Sequence, residues 1–188
     1  MDKWDRLYSR ATAPPPPCAL LERHAHWLPA SGRALDLACG LGGNALLLAR
    51  HGLRVDAWDG SRVAIRRLAA WAEAHALAIT ARQVDLTREA PGVGRYHVIV
   101  VAHFLHRPLL PAIAAALAPG GLLFYQTFSQ AAPDWRRGPR NPAMRLTRGE
   151  LLRAFAELEP LHYHEPGGQA PEGTAERELA ALIARRRL

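Results

Sequence analysis

The sequence predicts an α/β fold built on a mostly parallel sheet, and three observations predict it. From residue 33 onward, short apolar or β-branched runs alternate with helix-patterned segments. A glycine-rich turn joins the first such run to the next in ALDLACGLGGNALLLA, residues 34–49. The run YHVIVVAHF (96–104) is the most β-branched in the chain, as expected of a central strand covered on both faces. At 188 residues, 49% of them apolar, the chain suffices for one domain with a real core.

The N-terminal stretch Asp2 to Ser9 patterns as a short helix with Trp4 and Tyr8 on one face. APPPPC (13–18) is a stiff extended linker, since four prolines fix φ and remove donors. ALLERHAHWLP (19–29) reads as a helix stopped at Pro29. RALDLA (33–38) is a buried strand, followed by a helix from Gly43 to His51 that Gly52 ends. LRVDAWD (53–59) is the next strand, and Ser61 caps a helix from Arg62 to about Ala76. LAITARQVD (77–85) is β-like in its second half. After 96–104, RPLLPAIAAALAP is helical until Pro119-Gly120-Gly121, and LLFYQTF (122–128) is a strand. Residues 129–146 read as a polar loop or lid. TRGELLRAFAEL is a helix with Thr147 and Glu150 at capping-box spacing. EPLHYHE is a strand candidate. RELAALIARR fits either a strand or, on the propensity of Ala, Leu and Arg, a helix.

Bulk properties narrow the function classes. No apolar run is long enough to cross a membrane, because the best one is broken at Pro119-Gly120-Gly121. MDKWDRLYSR has no apolar centre and is not a signal peptide. Cys18 and Cys39 are the only cysteines and lack metal spacing, which points to a reducing, cytoplasmic setting. The net charge of +7 comes from 24 basic and 17 acidic residues. Such a balance fits a nucleic-acid partner. The arginines are dispersed, however, and accompany abundant alanine, so biased composition is the better reading and a small-molecule partner is expected.

In such sheets ligands sit beyond the carboxyl ends of the strands. GLGGNA (40–45) fits the pattern G-x-G-x-x-G/A, in which glycines let the backbone turn and approach a ligand while a helix N-terminus stands behind. A bare strand-to-helix turn fits the glycines equally. Asp36, four residues before Gly40, would repel a pyrophosphate and suit a cationic amine or sulfonium. Asp59 ends the next strand, where a carboxylate can accept from ribose hydroxyls. Asp85 ends another, where it can accept from an adenine amino group. Each acid alone is also an ordinary cap or surface residue; three at successive strand ends, beside the loop, form a pattern.

In that order, ALDLACGLGGNA, VDAWDGS, QVDL and LAPGGLLFYQTF resemble the motifs of class I S-adenosylmethionine-dependent methyltransferases, over about Ala34 to Phe128. The W-x-x-x-Y segment at Trp4 and Tyr8, Asn44 after the glycines, FLHRPLLPAI and NPAMRLTRGELLRAF are similar to the tellurite-resistance-type branch. The resemblance implies a three-layer Rossmann-like fold with a seven-stranded sheet whose last strand is antiparallel, favouring strand for 177–186. It implies an N-terminal lid segment (1–30) on a cofactor-binding methyltransferase domain (31–188). The cofactor implied is S-adenosyl-L-methionine, with S-adenosyl-L-homocysteine as product. The loop from Gly40 through Gly42 to Gly43 would pack against its methionine part, with Asp36 nearby, and Ala38, Asn44 and Ala102 are further cofactor-binding candidates. Asp59, Gly60 and Ser61 would hold the ribose, Asp85 and Leu86 the adenine, and Trp4 and Tyr8 would close over the site; two aromatics docking a helix is the structural alternative.

Methyl transfer from a sulfonium needs mainly alignment. A thiol or chalcogen oxyanion needs little further help, while oxygen or nitrogen acceptors call for a base. The N/D-P-P-Y signature of nucleobase amino methylation is missing, and VAHFLHR stands in its place. His103 and His106 are the candidates for proton movement, and Arg107 for attracting an anion; a structural histidine at a strand end is the alternative. Trp135, Arg136, Arg137, Arg140, Asn141 and Arg145 make 129–146 either a lid with anion affinity or a solvated loop. Tyr125 and Thr127 face the site or the core. His162 and His164 share a strand face without a convincing third ligand, and no metal is required. RNA or protein as the methyl acceptor, and a cofactor-binding module without turnover, are the competing functions.

Overall fold

A computed structural model of the protein describes residues 3–133, 135, 137–166 and 177–188. Seven strands form one sheet: β1 (Arg33–Leu37), β2 (Arg54–Asp59), β3 (Ile79–Gln83), β4 (Tyr96–Ala102), β5 (Leu117–Phe128), β6 (Glu159–His164) and β7 (Leu179–Arg185). Their order is β3-β2-β1-β4-β5-β7-β6. The first five are parallel, and β7 runs antiparallel between β5 and β6. The helices are α1 (Lys3–Ser9), α2 (Ala19–Arg23), α3 (Gly43–Arg50), α4 (Arg62–Ala74), α5 (Leu110–Ala116) and α6 (Glu150–Ala154). The expected helix start at Asp2 lies outside the described residues.

Period-two alternation sorts the sheet's side chains into two cores, which is why three layers form. Leu35, Leu37, Ile99, Val101, Leu123 and Tyr125 face α5 and α6. Ala34, Val98, Val100, Leu122 and Phe124 face α2, α3 and α4. Each fully buried Leu, Ile or Val here contributes about 1.5–3 kcal/mol relative to exposure. The N-terminal thirty residues divide in role: Leu20, Leu21 and Leu28 are buried in the second core, while α1 lies over the sheet's functional edge.

Several elements differ from the sequence reading. The helix expected over 147–158 is only Glu150–Ala154, with Gly149 rather than Thr147 at its N-cap; Thr147 instead donates through its N–H and hydroxyl to Glu150. Pro119-Gly120-Gly121 does not stop a helix; it lies inside β5, which begins at Leu117. Tyr96 pairs with Leu117 and the register then shifts, so the segment is an irregular strand start. A Cβ on Gly121 would come within 2.8 Å of the Tyr96 and Ala118 carbonyls, so only glycine passes there. The segment 19–29 is shorter than expected as an α-helix, ending at Arg23 and continuing as a 3-10 turn over Ala25–Trp27. Residues 179–185 are a strand: pairing with β5 and β6 on both sides outweighs local helix propensity.

Candidate functional site

The parallel strands all end at one edge, and the antiparallel β7 begins there. Above that edge lies a cavity of about 940 Å³, at the upper end of the range for ligand sites. It extends from Gln83–Thr87 after β3, across the glycine loop and Ala102–Phe104, to Phe128 and Glu178. Trp4 and Tyr8 cover it from α1, their rings stacked with centroids 5.9 Å apart. Asp5 fixes α1 by accepting from Ser61 Oγ (2.5 Å) and Val63 N (3.3 Å), and Arg67 donates to the Tyr8 and Ala11 carbonyls (2.5 Å each).

The glycine loop is held by carboxylates. Asp59 accepts from Gly40 N and Ser61 N, both at 2.8 Å. Asp36 accepts from Ala45 N at 2.9 Å and from Asn44 Nδ2 at 3.5 Å. Asn44 Oδ1 accepts from Cys18 N at 2.8 Å. Gly42 takes a left-handed φ of 83° at the start of α3, and a Cβ there would strike Leu68. Gly43 packs under the proline segment: its Cβ would sit 2.5 Å from the Pro15 carbonyl. Gly40, Gly60, Ser61, Asp59, Asp85, Leu86, Ala38, Asn44 and Ala102 all line the cavity. Ser61 also caps α4, accepting from Ala64 N at 3.2 Å. Asp85 is exposed and accepts from Thr87 N and Oγ1, which hold its pKa below the usual carboxylate value.

Asp36 and Gly42 are not in the cavity wall. The expectation that the Asp36 carboxylate faces a cationic ligand is corrected: it is fully buried behind the loop, on the α3 side of β1, and ties α3 to the sheet. Burial pushes its pKa up to about 7, against 3.8 unperturbed, despite the bonds from Ala45 and Asn44. Between those values the native state holds the proton more tightly than the unfolded chain. Stability is therefore greatest below about pH 4, declines as pH rises toward about 7, and then levels off with respect to this group. Asp36→Asn is expected to flatten that decline in denaturant melts at pH 4, 5.5 and 7; an unchanged slope would refute the assignment to Asp36.

Of the three residues expected to do chemistry, only His103 is in the cavity wall. It takes a strained left-handed φ of 56° at the end of β4, its N–H donating to the Gln126 carbonyl at 2.8 Å. Its ring lies 5.5 Å from that of Phe128. Although the side chain is open to the cavity, loss of solvent there lowers its pKa, so the imidazole is neutral and able to accept a proton. His106 and Arg107 are outside the cavity wall. Arg107 is a strut: it pairs with both Glu150 oxygens (2.6 and 3.0 Å) and donates to the Arg145 carbonyl (2.9 Å) and the Ala143 carbonyl.

The loop after β5 is fastened by Arg145, which is completely buried. It donates to the Pro139 and Ser129 carbonyls at 2.8 and 3.1 Å and to the Arg137 carbonyl. Its guanidinium lies over Phe128 and Trp135, 5.3 and 4.5 Å from the ring centroids. Arg137 reaches the cavity, Arg140 and Asn141 are exposed, and Arg136 lies outside the described residues. Tyr125 faces the core, its hydroxyl donating to the Phe104 carbonyl at 3.0 Å, and Thr127 is buried. The His162 ring lies tilted against that of His24, with centroids 4.8 Å apart. Among the described residues no helix is long and apolar enough to cross a membrane.

Sequence reasoning gave three parts of the site no role. Pro15–Pro17 line the cavity as a strap across the loop, and a linker's composition gave no sign of that. Gln126 lines the wall and anchors the strap's far end, its Oε1 accepting from Leu20 N at 3.1 Å; its position at a strand end was the available signal. Glu178 lines the wall just before β7.

The donor set tests which ligand the loop suits. The N–H groups of Gly40, Gly42 and Ala45 are spent on Asp59, the Cys39 carbonyl and Asp36. A pyrophosphate needs such N–H groups and would meet the Asp59 carboxylate instead. An adenosyl ligand carrying no phosphate fits: an acid stands at the end of β2 and another just after β3, with apolar Ala38 and Ala102 between them and His103.

A family model described as a methyltransferase domain matches residues 9–159. Among solved structures, an S-adenosylmethionine-dependent methyltransferase from Mesorhizobium loti is 20% identical, with 90% of this chain and 98% of that one covered and a TM-score of 0.71. TehB from Haemophilus influenzae is 21% identical with a TM-score of 0.70; the match covers 89% of this chain but only 61% of TehB. The [4+2]-cyclase SpnF is 19% identical, covering 98% of this chain and 81% of its own, with a TM-score of 0.70. No curated protein sequence matches the chain. With its seven-stranded sheet, its acid-held glycine loop and a domain match over residues 9–159, the chain belongs to the methyltransferase-domain family.

Proposed function

We propose that the chain methylates a small molecule bound beside the cofactor in the cavity above the strand ends. The observation that carries this reading is the cavity's lining, which we divide into two arms by the strands beneath: acids and glycine loop at the ends of β1–β3, and His103, Phe104 and Phe128 at the ends of β4–β5. When bound, S-adenosylmethionine supplies a methyl group already activated on a sulfonium. The chain's task is then to hold and align. In this reading Asp59, with Gly60 and Ser61, takes the ribose, Asp85 and Leu86 the adenine, and the loop with Ala38, Gly40, Asn44 and Ala102 the methionine part. Trp4 and Tyr8 exclude water above them. Asp36 and Gly42 act by fixing the loop. Neutral His103 accepts a proton from an acceptor that carries one. A thiol suits a site with one neutral base; a chalcogen oxyanion would rely on Arg137. Buried, free Cys18 and Cys39 accord with a reducing cytoplasmic setting.

Titration calorimetry with S-adenosylmethionine, S-adenosylhomocysteine and NAD tests the cofactor. Both sulfur ligands are expected to bind and NAD not; the reverse would overturn the reading. A second reading, cofactor binding without methyl transfer, is kept because a protein named as a cyclase shares the fold. Absence of turnover across a broad acceptor panel would favour it. Salt-sensitive retention on RNA would favour a nucleic-acid acceptor instead.

A further inference from the structure

Because β7 runs antiparallel to β5, its first residue meets the last of β5: Leu179 pairs with Phe128. Glu178, one residue earlier, accepts from Ser129 N through its carbonyl at 3.1 Å. Its side chain is 9% exposed and lines the cavity. Its Oε2 is buried with no hydrogen-bond partner among the described residues. Arg145 is near enough for the charge of Glu178 to favour its protonated form, but the Arg145 bonds go to the Ser129, Pro139 and Arg137 carbonyls.

A carboxylate oxygen withdrawn from water and left without a donor is unfavourable, and native structures retain few such groups without a use. In a cavity wall, a bound molecule can supply the missing donor. That molecule is not the cofactor's amino group, since β4 and β5 separate β7 from β1, from whose end the glycine loop springs. Nor is it an oxyanion, which the carboxylate would repel. Phe128 joins Glu178 to His103 in this arm: its ring lies against the imidazole, and its backbone pairs beside Glu178.

We propose that Glu178 is a specificity-determining residue that accepts a hydrogen bond from the methyl acceptor, and that the acceptor is a small amine or alcohol carrying its own N–H or O–H rather than a chalcogen oxyanion. This rests on methyl transfer taking place in the same cavity. The test is calorimetry on the full chain saturated with S-adenosylhomocysteine. The probes are benzylamine, benzyl alcohol, benzoate and tellurite, aromatic where possible because Phe104 and Phe128 line this arm. At least one donor probe is expected to bind, and benzoate and tellurite to bind about tenfold more weakly or not at all. Glu178→Leu is expected to weaken the donor probe about tenfold while leaving S-adenosylhomocysteine affinity and the melting temperature undiminished, which shows that the fold is intact. Glu178→Gln separates the two donors: it weakens an ammonium, which needs the charge, and largely spares an alcohol. Oxyanions binding as tightly as donors, no donor probe binding, or donor binding unchanged in Glu178→Leu would each overturn the proposal. Failure of the wild-type chain to bind S-adenosylhomocysteine would instead overturn the methyltransferase reading beneath it.

Discussion

Replacing Asp59 by alanine is expected to weaken S-adenosylhomocysteine binding by about a hundredfold or more and to lower the melting temperature by about 5–15 °C. The two effects have one origin. Asp59 is 9% exposed and holds the backbone N–H groups of Gly40 and Ser61 at 2.8 Å. Without it both donors lose a charged acceptor in a nearly dry place, at about 1–3 kcal/mol each. The damage spreads, because Ser61 caps α4 and donates to Asp5, which fixes α1 over the cavity. Gly40 faces the Tyr8 hydroxyl, which a Cβ would approach to 2.9 Å. Loop, cap and covering helix thus share one carboxylate. Asp59→Asn retains one acceptor oxygen but turns an amide toward the other N–H, so an intermediate loss is expected. Thermal melts with calorimetry decide the matter: alanine variants that bind the ligand normally would remove Asp59 from the ribose assignment.

The sequence made the fold legible where side-chain period and chain punctuation agree. Strands β1, β2 and β4 and helix α4 lie within one or two residues of their expected ends because buried runs there are bounded by Gly, Ser or a cap. The acids were legible because strand ends were. Which way each acid points was not read, although a signal existed: Asp36 shares a period-two face with Ala34, the face covered by α3. Arg107 was misjudged for a reason that spacing cannot reveal, since its partner Glu150 is 43 residues away. Glu178 lies beside a segment whose local propensity is helical, and only pairing across the sheet brings it to the functional edge. The proline strap is a similar case: rigidity was readable, but the surface it crosses, Gly43, comes from tertiary placement.

Arg145→Leu is expected to release the loop over 129–146 while leaving the cofactor arm intact. Arg145 is the largest fully buried side chain among the described residues, and its burial depends on its partners. The guanidinium donates to three carbonyls of the loop and lies over two aromatic rings, Phe128 and Trp135. Leucine fills part of the volume but donates nothing, so three carbonyls lose partners at about 1 kcal/mol each and two cation–π contacts of about 0.5–2 kcal/mol each vanish. That sum, about 4–7 kcal/mol, exceeds what an 18-residue segment with one short 3-10 turn can recover from elsewhere. Hydrogen exchange over 129–146 should therefore rise by two or more orders of magnitude, on the order expected for a loss above 3 kcal/mol. Arg145→Lys should fail to rescue it, because a compact ammonium lacks the guanidinium's planar, spread donors and its stacking on aromatic faces. Since Phe128 is shared between Arg145 and His103, acceptor methylation should fall with the loop. The S-adenosylhomocysteine affinity should stay within about threefold, because Asp59, Gly40 and Ser61 touch none of these partners. A variant whose exchange is unchanged would show that the loop is held by the Arg107–Glu150 strut instead.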